Sequence, residues 1–264
     1  MTYDVDGFST KMTIFRQLNR FLTRTLGVRV IKWAPTQSRS ATRSSDSAGF
    51  NKIFCVGDNK TGTTTLGAIL RYYGYSLPSQ AHQELQLTNL AFKTDYKALQ
   101  QFCEQYDAFQ DMPFSQGMTF VVADALFPNS KFILSERPVE EWFNSMCNFH
   151  RKILKVNDLS SLKEQDLIER FTYLYPGYSH SNKKRFLTSF EGMEKKVNWN
   201  RLYDFDWYSE MYTQRNEAIK KYFMDAPDKL LVIDVTNERT TKIICEFLEI
   251  PKEMAIEMPQ VNKT

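Results

Sequence analysis

Apolar residues in this chain fall into short continuous runs, and these alternate with stretches that repeat every three to four positions. Ile53 to Val56 is an apolar run closing on Gly57 and predicts a strand buried on both faces. Thr63 to Tyr73 has a helical period and stops near Gly74, and Glu84 to Cys103 holds one or two further helices. Tyr106 to Phe109 predicts a second strand, and Gln116 to Phe127 a helix stopped by Pro128. Lys131 to Ser135 is another apolar strand, Val139 to Val156 is helical, Leu230 to Val235 is a strand, and Thr240 to Leu248 is a helix with Pro251 just past it. Apolar strands separated by helices predict an α/β fold, a three-layer sandwich with a central parallel sheet covered on both faces. Ligands in such sheets bind at the carboxyl ends of the strands.

Two stretches depart from this alternation. From Asp158 to Phe223 the pattern is helical but irregular, and it is crowded with aromatics such as Tyr173, Tyr175, Tyr178, Phe186, Trp199, Trp207 and Tyr208. These serve either as packing or, for some of them, as the lining of an acceptor pocket. The stretch at about 158–223 therefore reads as an insert. At the other end, Ile14, Leu18, Phe21, Leu22, Thr25 and Leu26 share one helical face while Arg16, Arg20 and Arg24 share another. Such a basic amphipathic helix either docks on its own domain or, with residues 11–33, contacts an anionic membrane surface. Thr36 to Ser47 is Ser/Thr-rich and aperiodic, a linker. The expected division is a basic segment and linker at 1–50 and one α/β domain at 51–264.

Composition narrows the class. A chain of 264 residues suffices for one large α/β domain, and 42% hydrophobic with 14% aromatic content argues against disorder. A net charge of +3 is too mild to imply a nucleic-acid partner. Cys55, Cys103, Cys147 and Cys245 lie far apart in apolar surroundings, without CxxC or Cys/His spacing, and read as reduced core thiols rather than metal ligands. No stretch approaches the roughly 18–20 apolar residues of a spanning helix, and the first residues lack the features of a secretory signal. The expected location is cytoplasmic, with peripheral membrane contact as the addition.

Candidate chemistry begins with Lys52 to Leu66, KIFCVGDNKTGTTTL, a strand, a glycine- and hydroxyl-rich loop and a helix start. Gly57 and Gly62 have the spacing of the phosphate-binding loop GxxxxGK[ST], in which backbone N–H groups and a helix N-terminus hold anionic oxygens. Here Thr63 follows the second glycine, and the lysine, Lys60, sits two places before it. A lysine after the glycine would reach the β and γ phosphates of a nucleoside triphosphate beside a Ser/Thr on magnesium. Lys60 instead aims its charge at a group over the loop, and Thr63, Thr64 and Thr65 offer donors without that magnesium site. The bland alternative is a tight Gly/Thr turn. A second feature closes the strand KFILS: Arg137 stands at its carboxyl end and Ser145 two helical turns on. A guanidinium there binds a phosphate bidentately with a hydroxyl on a further oxygen, or forms an ordinary salt bridge.

Lys60-Thr61-Gly62-Thr63-Thr64 and the Arg137-x7-Ser145 spacing together resemble the PAPS-dependent sulfotransferases, in particular the branch with an NKTGTT loop. The resemblance runs through DAFQDMPF at Asp107 to Phe114, LFPNSKFILSERPVEEWFNSM, LLVIDV and CEFLEIP, and so spans Lys52 to Pro251 outside the aromatic insert. It implies a sheet of the P-loop nucleotide-binding type, with PAPS (3′-phosphoadenosine 5′-phosphosulfate) as donor and no metal. It implies that Lys60, Thr61, Gly62, Thr63, Thr64 and Thr65 hold the 5′-phosphosulfate and that Arg137 and Ser145 hold the 3′-phosphate. Lys60 would neutralise charge on the departing bridging oxygen. The acceptor would be an alcohol or amine. Asp111-Met112-Pro113 stands where the family has a histidine, an apolar residue and proline, so Asp111 is the candidate base, with a helix N-cap ahead of Pro113 as its alternative. His82, His150 and His180 are further candidates for the base.

Departures from the family pattern bear on the site. Thr65 replaces the adenine-stacking tryptophan and the late RKGxxG segment is missing, so adenine recognition is unassigned. Glu136 beside Arg137 would weaken anion binding. The rival functions are a nucleoside-triphosphate kinase, which needs GK[ST] and an acidic magnesium ligand, and a non-catalytic adaptor at a membrane. The aromatic insert and Lys183-Lys184-Arg185 suit a sugar, a lipid headgroup or an anionic oligosaccharide as acceptor, or the basic tract is a solvated surface.

Overall fold

The apolar runs become neighbouring parallel strands. In the computed structural model, which describes residues 50–171, 173 and 175–259, the elements run β1 (Ile53–Cys55), α1 (Thr63–Tyr72), α2 (Gln80–Phe92), α3 (Tyr96–Cys103), β2 (Ala108–Phe109), α4 (Thr119–Leu126), β3 (Lys131–Ser135), α5 (Val139–Leu154), α6 (Glu164–Glu169), α7 (Tyr178–Phe186), β4 (Thr188–Glu191), β5 (Glu194–Val197), α8 (Phe205–Tyr222), β6 (Leu230–Ile233) and α9 (Lys242–Phe247). The amphipathic segment at 11–33 and the linker at 36–47 lie outside the described residues.

β2, β1, β3 and β6 form one parallel sheet in that order, with Ile53 opposite both Ala108 and Lys131, and Phe132 opposite Leu230. Apart from Lys131 and Ser135 at the two ends of β3, the strands are apolar, as strands covered on both faces are. Ile53, Cys55 and Ile133 point to one side, where Leu66, Ile69 and Leu70 of α1 and Ile244 and Cys245 of α9 meet them. Phe54, Val56, Phe132 and Leu134 point to the other, against Leu87, Leu99, Phe120, Ile219 and Phe223. This is the three-layer α/β arrangement expected of the sequence. All four cysteines are buried and unpaired.

The chain leaves β1 toward β2 on one side and returns to β3 on the other, so the strand order reverses at β1. The crevice outside the carboxyl ends of β1 and β3 is then where such sheets take ligands.

The stretch read as helical but irregular departs from helix at residues 188–197. Thr188–Glu191 and Glu194–Val197 pair as an antiparallel hairpin around Gly192, whose φ of 65° suits the turn. Both strands are polar and largely exposed, so no alternation marks them. A third apolar cluster fills the space between α5 and this stretch, with Trp142, Met146, Leu167, Phe171, Leu187 and Tyr208 at its centre. α8 joins the two regions, since Ile219 packs under the sheet while Tyr208 and Tyr212 pack in the third cluster.

Candidate functional site

The loop after β1 is shaped by its glycines. A Cβ at Gly57 would overlap Ser135 at the end of β3, so only glycine lets the two strand ends close on one another. Gly62 has φ 97° and caps α1, and a Cβ there would overlap Val235. Its conformation turns the first backbone N–H groups of α1, at Thr63 to Thr65, outward without intrahelical partners. Thr61 faces the other way. Its hydroxyl is fully buried, donates to Asp58 O at 2.6 Å and is hydrogen-bonded to Ser135 Oγ at 2.7 Å, so its side chain braces the loop instead of lining the cleft.

Lys60 and Arg137 meet at this loop. Arg137 Nη1 donates to Lys60 O at 3.3 Å, Nη2 pairs with Glu141 Oε2 at 3.1 Å, and Nε is buried without a partner among the described residues. The arginine backbone is held by Tyr212, whose Oη accepts from Arg137 N at 3.0 Å and donates to Arg137 O at 3.2 Å. Tyr212 stacks on Trp142 at 4.3 Å, and Trp142 Nε1 in turn donates to Asn59 O at 3.0 Å. Glu136, expected to compete for Arg137, pairs instead with Lys220 at 3.0 Å, and Glu141 is the competing carboxylate. Lys60 is half-buried with Nζ 4.3 Å from the centre of the Phe149 ring. Burial lowers its pKa, and the charge of Asp111 partly offsets this.

Asp111 follows β2 and is almost wholly buried beside the loop. Oδ1 accepts from Asn59 Nδ2 and, at 2.9 Å, from Met112 N; Oδ2 accepts from Thr63 Oγ1 and Gln80 Nε2, each at 3.1 Å. Helix α4 starts only at Thr119, so Asp111 is not the N-cap of a helix. Burial raises its pKa, while the donors from Thr63, Met112 and Asn59 and the Lys60 ammonium pull it down. Lys60 (φ 75°) and Asp111 (φ 65°) are both non-glycine residues in the left-handed region, a conformation that costs of order 1–3 kcal/mol and gathers at functional sites.

These groups border one cleft of ≈ 960 Å³, which also takes in Thr64, Thr65, Ser145, Phe149, Tyr173 and Lys183. The structure thus brings Lys60, Gly62, Thr63, Thr64, Thr65, Asp111, Arg137 and Ser145 to one space, with Thr61 behind it. Of the histidines, His180 pairs with Glu164 at 2.7 Å and His82 packs on Phe102, whereas His150 lines the cleft. Burial, with the Lys183 and Lys60 cations, holds His150 far below its usual pKa and therefore neutral.

Sequence reasoning missed a second layer. Gln80 Nε2 bridges Asp111 Oδ2 and Glu84 Oε1, the latter at 2.8 Å. Burial and the charge of Asp111 push Glu84 up to about 8, so it is largely protonated at neutral pH. The available signal was a glutamate on the same helical face as Leu87. Arg215 of α8 donates to Val56 O at 2.8 Å and to Gly117 O and Phe114 O, each at 3.1 Å, which ties the end of β1 to the segment after Asp111. Nothing in its local sequence separates it from an exposed cation such as Lys221 of the same helix.

Cationic donors at two strand ends, a helix N-terminus between them and a buried carboxylate within reach suit an anionic ligand that reacts with a proton-bearing nucleophile. A family model described as a sulfotransferase domain matches residues 52–264. No curated protein matches the chain.

Proposed function

Because the chain belongs to the sulfotransferase domain family, we propose that it transfers a sulfuryl group from PAPS to the hydroxyl or amine of an acceptor. The observation that carries this reading is the 3.3 Å contact between the Arg137 guanidinium and the Lys60 carbonyl, which lie 77 positions apart in sequence. The contact puts the Arg137 guanidinium against the loop that carries Lys60, so a single nucleotide phosphorylated at both ends can reach both groups. The residues present fit such a ligand. Lys60 and the N–H groups of Thr63, Thr64 and Thr65 take the 5′ end, and the unpartnered Nε of Arg137 with the Ser145 hydroxyl takes the 3′-phosphate.

The bound donor supplies an electrophilic sulfur whose bond to the 5′-phosphate oxygen breaks as the acceptor oxygen or nitrogen bonds to it. Asp111 accepts the proton that the acceptor loses, and its four hydrogen-bond donors hold the carboxylate in one orientation. Lys60 neutralises the negative charge growing on the bridging oxygen. Thr63 links the two halves, since it belongs to the helix N-terminus and donates to Asp111.

The deciding measurement is thermal unfolding with 3′,5′-adenosine bisphosphate or with Mg-ATP. At 100 times Kd a ligand of the native state adds about 2.7 kcal/mol, which moves the midpoint by several degrees. The bisphosphate is expected to do so in wild type and to lose most of its effect in Lys60→Met. Stabilisation by Mg-ATP alone would favour the kinase, and by neither ligand the adaptor. Incubation with labelled PAPS and a fractionated metabolite extract then identifies the acceptor.

A further inference from the structure

We propose that the acceptor is itself anionic: an aromatic hydroxyl or amine compound that also bears a carboxylate or sulfonate, which Lys183 binds. The inference rests on the sulfotransferase reading and names the substrate class of the same cleft.

The basic tract Lys183-Lys184-Arg185 does not act as one surface. On α7, Tyr178, Ser179, Asn182, Lys183 and Phe186 share one helical face and line the cleft, while Lys184 is exposed. Lys183 is only 8% exposed. Its Nζ donates to Tyr208 Oη at 3.1 Å and lies 4.8 Å, 5.3 Å and 5.6 Å from the ring centres of Tyr208, Tyr203 and Phe186. Among the described residues it has no carboxylate at ion-pair distance; the Asp58 charge acts on it only from further off, and Asp58 also faces Arg215. Burying an ammonium with one phenol and three ring faces for company is costly unless a counter-charge completes the site. Burial lowers its pKa only to about 8, so it still carries its charge near neutrality.

The donor does not supply that counter-charge. Its phosphates and sulfuryl group have Lys60, Arg137 and the α1 N-terminus, and Arg215 is engaged by three carbonyls. Lys183 remains over, beside Phe186, Tyr203 and Tyr208 in a cleft that Phe149, Phe171 and Tyr173 also line. Arg185, which also lines this cleft, stacks its guanidinium 3.5 Å from the centre of the Phe92 ring, again without a carboxylate partner among the described residues. A flat ring between such walls, with its acidic group on Lys183, matches both the shape and the charge.

The test compares 4-hydroxybenzoate, 4-hydroxyphenylacetate and 3-(4-hydroxyphenyl)propanoate with their primary amides, as PAPS acceptors and as ligands of the enzyme loaded with 3′,5′-adenosine bisphosphate. At least one acid is expected to exceed its amide tenfold in kcat/KM and in affinity. Lys183→Met should bring that ratio near one while leaving the bisphosphate stabilisation unchanged. If the methionine variant does not fold, Lys183→Gln is read in the same way. The proposal fails if amides match acids, if no member of the series binds, or if the variant slows acids and amides equally, which would assign Lys183 to the sulfuryl group. A wild-type enzyme that ignores the bisphosphate would instead remove the donor reading beneath it.

Discussion

In the proposed reaction the chemistry concentrates in a single side chain, Asp111. A buried carboxylate with four donors is neither a packing residue nor a surface acid, and its strained backbone positions it beside Lys60. Asp111→Asn keeps the shape and removes the proton acceptor, so turnover should fall about 10²–10⁴-fold while stabilisation by the bisphosphate persists. The pH profile follows from the sign of the shift. A base works as the carboxylate, and burial raises its pKa above the usual 3.8, so kcat/KM should fall on the acid side along a limb lying above the ordinary aspartate range. A limb at or below that range, or an unchanged rate in Asp111→Asn, would move the base elsewhere. Lys60, Arg137 and Asp111 were all legible in the sequence because a motif surrounds each. Glu84, Gln80 and Arg215 were not, because their roles depend on groups that arrive from other elements.

At the scale of elements, the proposed phosphate cradle is a strand, a loop and a helix start whose geometry rests on two glycines. Gly62 has a left-handed φ, and Val235, beyond the end of β6, occupies the space where a Cβ would lie. Gly62→Ala should therefore lower stability by about 1–3 kcal/mol and weaken the bisphosphate response out of proportion, because the N–H groups that follow it are those proposed to hold the ligand. Equal bisphosphate affinity in the variant, measured by calorimetry, would show that the cradle tolerates the change. The strands and most helices were readable because burial on both faces leaves continuous apolar runs. The hairpin β4–β5 was not, because its residues are mostly polar and only its base, at Thr188, Ser189 and Val197, is half-buried.

For the whole molecule, the buried ionisable groups around the cleft make stability depend on pH with opposing signs. Glu84 is shifted from 4.5 to about 8, so its contribution is fully present below its unfolded value and is lost as pH rises through about 8. His150 and Lys183 are shifted downward and act in the opposite sense. The difference between Glu84→Gln and wild type cancels their effects. The variant's melting point should gain on that of wild type by roughly 5 °C between pH 5 and pH 8.5. Parallel curves across that window would mean that Glu84 is not held protonated.

By itself the sequence determined the parallel α/β sheet, the strand ends that carry the loop and Arg137, and the residue types able to grip an anion, because hydrophobic period and motif spacing are local properties of the chain. Only the tertiary structure decided which of these groups share a space. It turned Thr61 inward, put Lys60 over the Phe149 ring, gave Glu136 to Lys220 and Glu141 to Arg137, and set Lys183 apart from Lys184. Burial and partner choice are properties of elements far apart in sequence, and they decide whether a charge is solvated, paired or left for a ligand.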